Sequence, residues 1–124
     1  MTTDILGRSS LGLEREVTEL LLKIGVPAHI KGFRILRRAI LITIDDSQAI
    51  ESITNILYPD LADEFNSTPA NIERAMRYAI ESAWQRGDMS VISSYFGWKK
   101  PANAEFIATI ADKVRLQIDI EQSK

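Results

Sequence analysis

Apolar positions recur along most of this chain at helical spacing. Leu13, Val17, Leu20, Leu21 and Ile24 fall on one stripe, because steps of three and four residues return to the same face of an α-helix. Gly25 and Pro27 end that stripe with residues suited to a helix stop. A second helix is predicted from about Ile30 to Ile44, where Phe33, Ile35, Leu36, Ala39 and Ile40 stand among Lys31, Arg34, Arg37 and Arg38. Its end, Ile40 to Ile44, is largely β-branched and by propensity alone could be a strand. Helix is preferred, because no partner strand is evident elsewhere. Asp45, Asp46 and Ser47 signal a turn and a cap. Ile50, Ile53, Ile56 and Leu57 then mark a third helix.

The next stretch, LYPDLADEFNSTPANIERAMRYAIESAW over residues 57–84, has the pattern of a helix-turn-helix. Pro59 suits a first helical turn, where its missing N–H is not needed. Leu61, Ala62 and Phe65 share a face, and Asn66, Ser67 and Thr68 break the pattern with turn residues. Thr68 can cap the following helix and Pro69 can start it. There Ile72, Ala75, Met76, Ala79, Ile80 and Ala83 form the apolar stripe, while Asn71, Glu73, Arg74, Arg77, Tyr78 and Glu81 fall off it. A helix that packs by one face and offers Arg, Glu and Asn from the other can enter a major groove and read base edges.

Beyond it, Gly87 and Asp88 stop the long helix, and Ser90 to Phe96 predicts one short helix. A loop carries Lys99 and Lys100. Asn103 is expected to cap a last helix with Phe106, Ile107, Ile110, Ala111 and Val114 on its stripe, and Trp84 and Phe106 are read as core. Residues 1–12, with Gly7, Ser9, Ser10 and Gly12, lack periodicity and read as a flexible tail or linker remnant. Residues 13–124 then make one all-α domain: a compact bundle of about six helices containing a helix-turn-helix, without a wing or other β element.

Composition narrows the function. The chain has 124 residues and no cysteine, which removes disulfide frameworks, thiolate nucleophiles and zinc–thiolate sites. No apolar run approaches the roughly 18 residues of a membrane span, and the polar start is unlike a signal peptide, so a cytoplasmic protein without membrane attachment is expected. The single histidine, His29, has no evident acidic partner and reads as a hydrogen-bonded structural residue. With no phosphate-binding glycine loop, and with Glu73 and Glu81 too far apart for a carboxylate dyad, nothing assembles into a catalytic site. No cofactor and no metal is expected. Net charge is -2; a protein that held DNA through bulk positive charge would be basic. DNA binding must therefore come from a local basic face.

Five segments resemble one family: IGVPAHIKG over 24–32, LYPDLADEFN over 57–66, IERAMRYAIESAWQRG over 72–87, SSYFG over 93–97 and EFIATIADKVRL over 105–116. They are similar to the C-terminal DNA-binding effector domain of the sporulation master response regulator of endospore-forming Firmicutes. The resemblance implies a transcription regulator of sporulation initiation that reads a short promoter box with its long helix. It implies binding as tandem, head-to-tail copies, contact with the sigma subunit of RNA polymerase, activation of some promoters and repression of others. A receiver domain precedes this domain in the full-length family protein, so the chain is expected to be an excised fragment or a lone effector. Asn71 stands where the family often has Arg, and Tyr78 where it has His. The loop over 98–102 is shorter than the family's.

Arg74 is the leading base reader, since a guanidinium can donate two bonds to guanine O6 and N7. Glu73 can accept from a cytosine amino group. Asn71, Arg77 and Tyr78 complete the candidate base-contact set. Lys31, Thr68, Lys99 and Lys100 are candidate phosphate contacts. Arg34, Arg37 and Arg38 could join them, or could equally form a solvated face that snorkels over the core. Gln85, Arg86, Asp88, Ser90 and Ser93, at the far end of the helix and the turn after it, are candidate polymerase contacts. Trp98 could pack or meet a partner. The alternative to a DNA reader is a protein-interaction module in which a degenerate effector fold binds the full-length regulator or polymerase; the acidic balance and Asn71 favour it.

Overall fold

The computed structural model describes residues 10–122 of the chain. Helix α1 (Ser10–Ile24) buries Leu13, Val17, Leu21 and Ile24, the predicted stripe, with Leu20 partly buried beside them. It begins at Ser10, before the predicted start at Leu13, so residues 10–12 belong to the helix and not to a tail. Residues 1–9 of the expected tail lie outside the described residues. The helix ends at Gly25, whose φ of 108° lets the Val26 N–H turn back to the Leu21 carbonyl at 3.0 Å. That backbone conformation costs a side-chain-bearing residue and costs glycine little.

Helix α2 (Lys31–Asp45) is central and packs against α1, α4 and α6. The β-branched run at its end is helical, and no strand occurs among the described residues. Three neighbouring helices widen its buried face beyond the stripe of Phe33, Leu36, Ile40 and Ile44 to take in Ile35 and Ala39 as well. The carbonyls of its last turn have no partners within the helix. The Arg115 guanidinium supplies one, donating to Thr43 O at 2.8 Å and to Ile44 O at 3.4 Å, at the end where the helix dipole favours positive charge.

The third predicted helix takes a different form. Residues Ser47–Ser52 make a 3-10 turn capped by Asp46, and Ile53–Leu57 make a π-helical turn that runs straight into α3 (Tyr58–Glu64). The Tyr58 N–H reaches five residues back, to Ile53 O. Pro59 explains the departure. A proline inside a helix lacks the N–H and presses on the carbonyl four residues earlier, and widening the preceding turn relieves both problems. Ile56, expected on the buried stripe, is 55% exposed as a result of the changed register.

Helix α3 ends at Asn66, which has a φ of 52°, while the Ser67 N–H bonds to Ala62 O at 2.8 Å. Asparagine tolerates this left-handed position better than most residues. Helix α4 (Pro69–Arg86) follows and buries Ile72, Met76, Ala79, Ile80 and Ala83, with Ala75 partly buried. Fully burying a side chain such as Ile72, Met76 or Ile80 contributes about 1.5–3 kcal/mol each.

Helix α5 (Met89–Phe96) and α6 (Asn103–Gln122) close the bundle. On α6 the expected stripe is buried and extends to Ile118. Trp84, half-buried, meets Phe96 at 5.3 Å and Phe106 at 6.4 Å between ring centroids, and Phe96 stacks on Phe106 at 5.0 Å. These rings join α4, α5 and α6.

Candidate nucleic-acid interface

Two close approaches hold α4 in place from behind. At Gly32 on α2, a Cβ would lie 2.3 Å from Ala75 O and 2.8 Å from the Ala79 Cβ. The absent side chain thus lets α2 touch the backbone of α4. At Gly87, a Cβ would lie 2.4 Å from Ile24 O, so the end of α4 sits against the end of α1. Helix α3 packs on α4 across the Asn66 turn, completing the helix-turn-helix.

Thr68 caps α4: its Oγ1 accepts from the Asn71 N–H at 3.2 Å. The hydroxyl proton is not used in that bond. With the unsatisfied N–H groups of the first turn, it gives the helix start a donor-rich, positive end.

The outward face carries the predicted residues. Asn71, Arg74, Arg77 and Tyr78 are exposed and Glu73 is half-buried. They do not stand in equal states. Arg77 is clamped to Glu73, with Nε 2.9 Å from Oε2 and Nη2 3.4 Å from Oε1. The Glu73 carboxylate raises the Arg77 pKa further above its ordinary value. Arg74 has one long bond, from Nη1 to Asn71 Oδ1 at 3.4 Å, and no carboxylate partner among the described residues. Most of its donors therefore face solvent. Tyr78 is 59% exposed, an apolar ring with a polar tip on the same helix.

The other basic candidates divide. Lys31 and Arg34, at the start of α2 beside the Gly32 contact, are exposed and without an ion pair among the described residues. Arg37 is engaged: it donates to Thr18 Oγ1 at 3.2 Å, lies 3.6 Å from Glu14 and sits over the Phe33 ring. Arg38 forms two bonds to Glu64 at 2.8 and 3.1 Å. These two tie α2 to α1 and α3. Lys99 is exposed, and Lys100 pairs with Glu81 of α4 at 3.2 Å. The α5–α6 loop is thereby held beside α4. Trp98 in that loop is 77% exposed, so it does not pack.

At the far end of α4, Gln85 and Arg86 are exposed. Asp88 caps α5, accepting from the Ser90 N–H at 2.9 Å and the Ser90 hydroxyl at 2.7 Å, which lowers its pKa. Its carboxylate and the Ser90 hydroxyl are thus already engaged. Ser93 is half-buried and its hydroxyl donates to Ser90 O at 3.4 Å.

Two expectations are corrected. His29 is exposed and makes no hydrogen bond among the described residues, so it is not a hydrogen-bonded structural histidine. Asn103 does not cap α6. Ala102 holds that position, its carbonyl accepting from the Phe106 N–H at 2.9 Å. The Asn103 side chain instead turns inward, and Nδ2 donates to Tyr58 Oη and to Glu73 O, each at 3.1 Å. Burial pushes the Tyr58 phenol up, the Asn103 bond opposes that, and the Glu73 charge adds to it. A sequence signal for this bridge is lacking, since an asparagine at a helix start reads first as a cap.

Among the described residues no group of acidic or histidine side chains could hold a metal ion, and no helix is long and apolar enough to cross a membrane. The family model described as the sporulation initiation factor Spo0A C terminal matches residues 17–114. The match runs from α1 through the helix-turn-helix and into α6. The chain therefore belongs to the family of C-terminal, DNA-binding effector domains of the sporulation initiation factor Spo0A.

Proposed function

We propose that this domain is a sequence-specific transcription regulator whose α4 enters the major groove of a promoter box. The observation that carries the reading is the open guanidinium of Arg74 on the outward face, beside an Arg77 already neutralised by Glu73. Arg74 is assigned the bidentate contact to guanine. Asn71, Glu73, Arg77 and Tyr78 are assigned flanking base contacts. For Glu73 to accept from a cytosine it must share or release Arg77, which then turns to a phosphate or a second base. Thr68, Lys31, Lys99 and Lys100 are assigned to phosphates.

The same reading places the protein in the cytoplasm, with double-stranded promoter DNA as ligand and a second copy bound in tandem on adjacent boxes. Gln85, Arg86, Asp88, Ser90 and Ser93, at the far end of α4 and in the start of α5, are assigned to the sigma subunit of RNA polymerase. Gln85→Ala or Ser93→Ala should then lower promoter-dependent transcription in vitro and leave the DNA shift unchanged. Loss of the shift with an intact fold would break that division.

The decisive test is Arg74→Ala in a mobility-shift titration on specific and random DNA. Affinity for the specific site should fall by about 1–3 kcal/mol, the worth of one bidentate contact, and random binding much less. An equal loss on both would make Arg74 a phosphate contact. A wild-type domain with no sequence preference at any salt would favour the interaction-module reading.

A further inference from the structure

Asn103 sits at the first residue of α6, yet its side chain serves another helix. It is 8% exposed, and its amide nitrogen lies between Tyr58 of α3 and the backbone carbonyl of Glu73 in α4. A carbonyl oxygen only accepts, so the amide nitrogen must face it, and the two hydrogens of that nitrogen suffice for both partners. Glu73 O lies in the second turn of α4, at the level of the outward residues. One buried side chain thus links the reading helix to both its helix-turn-helix partner and α6.

We propose that Asn103 is a positioning residue for DNA reading. It fixes the height and rotation of the first turns of α4 through the Glu73 carbonyl, and so aims Arg74 and Glu73 without touching DNA. The inference rests on base reading by α4. The packing behind that helix, at Gly32, bears on Ala75 and Ala79. Asn103 is the described side-chain bond to the backbone of the reading turn from the side of α6. Specific contacts need donor placement to within fractions of an ångström, whereas phosphate contacts tolerate a small shift.

Three variants test this in one assay: dissociation constants on specific and random DNA at fixed salt, with folding checked by circular dichroism and urea denaturation. Asn103→Asp keeps the shape, can accept from the Tyr58 hydroxyl, and loses the donor to Glu73 O. It should lower the specific-to-random ratio by about tenfold, within the range of one base contact, with random affinity changed less than about twofold. Tyr58→Phe keeps the Asn103–Glu73 bond and should keep the ratio, whatever it does to stability. A ratio unchanged in Asn103→Asp, or lowered as much by Tyr58→Phe, overturns the positioning role. If the aspartate variant does not fold, Asn103→Ser, whose shorter side chain cannot reach both partners, takes its place with the same expected and the same overturning result. Arg74→Ala separates the two layers. If it lowers the ratio while Asn103→Asp does not, only the positioning role falls. If neither lowers it, base reading by α4 falls and the positioning role with it.

Discussion

Helices α2 and α4 both present arginines on an outward face, yet Arg37 and Arg38 of the one and Arg74 of the other are in different chemical states. On α2, Arg37 and Arg38 are bound to Glu14, Thr18 and Glu64 and lie across the seams to α1 and α3. On α4, Arg74 keeps most of its donors free. Residue type and exposure do not distinguish the pairs; Arg38 and Arg74 are both exposed. What separates them is whether a carboxylate from another helix stands opposite. Arginine is thus a staple where another helix supplies an acid, and open to a ligand where none does.

The contrast breaks most severely if α2 and α4 are forced apart. Gly32→Ala places a methyl group 2.3 Å from Ala75 O, where backbone must move. Such overpacking costs about 1–3 kcal/mol or more. Urea denaturation should show that loss, and sequence preference on DNA should fall with it as α4 shifts. A variant as stable as the parent would mean the interface is slack.

Removing open charges from α2 is a smaller and different change. Lys31→Ala and Arg34→Ala should leave stability nearly unchanged. For each residue that meets a phosphate, the log–log salt slope of DNA binding should shrink by about 0.9. No change in slope for either variant would assign these residues to the solvated face.

Removing a staple should be the mildest. Arg38→Ala deletes an exposed pair, and such pairs contribute about 0.2–1 kcal/mol. Stability should fall within that range, while DNA affinity and salt slope stay the same. If Arg38→Ala instead reduced the slope, the pair with Glu64 would open on DNA and the distinction between the two helices would blur.

Much of this fold was legible because the buried stripes of α1, α4 and α6 repeat at one helical period, and burial on one face needs only local spacing. The 3-10 and π turns were not legible, because Ile50, Ile53 and Ile56 also fit an α-helical period. Only the clash of Pro59 with the preceding turn changes the register. The candidate reading face was legible as the positions off the α4 stripe. Which arginines of α2 are engaged was not, since Glu64, the partner of Arg38, lies 26 residues away. Asn103 was misread for the same reason: capping is a local preference, and its true partners lie 30 and 45 residues away.

The two tryptophans give the protein a pair of optical probes with separate addresses. Trp84 has its indole nitrogen buried with no hydrogen-bond partner, inside the ring cluster that joins α4, α5 and α6. Trp98 stands in solvent on the α5–α6 loop. An indole in an apolar setting emits at shorter wavelength than one in water, and a charged quencher reaches only the latter. The blue component of the emission therefore follows the integrity of the bundle, while the quenchable red component follows the loop beside α4, with no label attached.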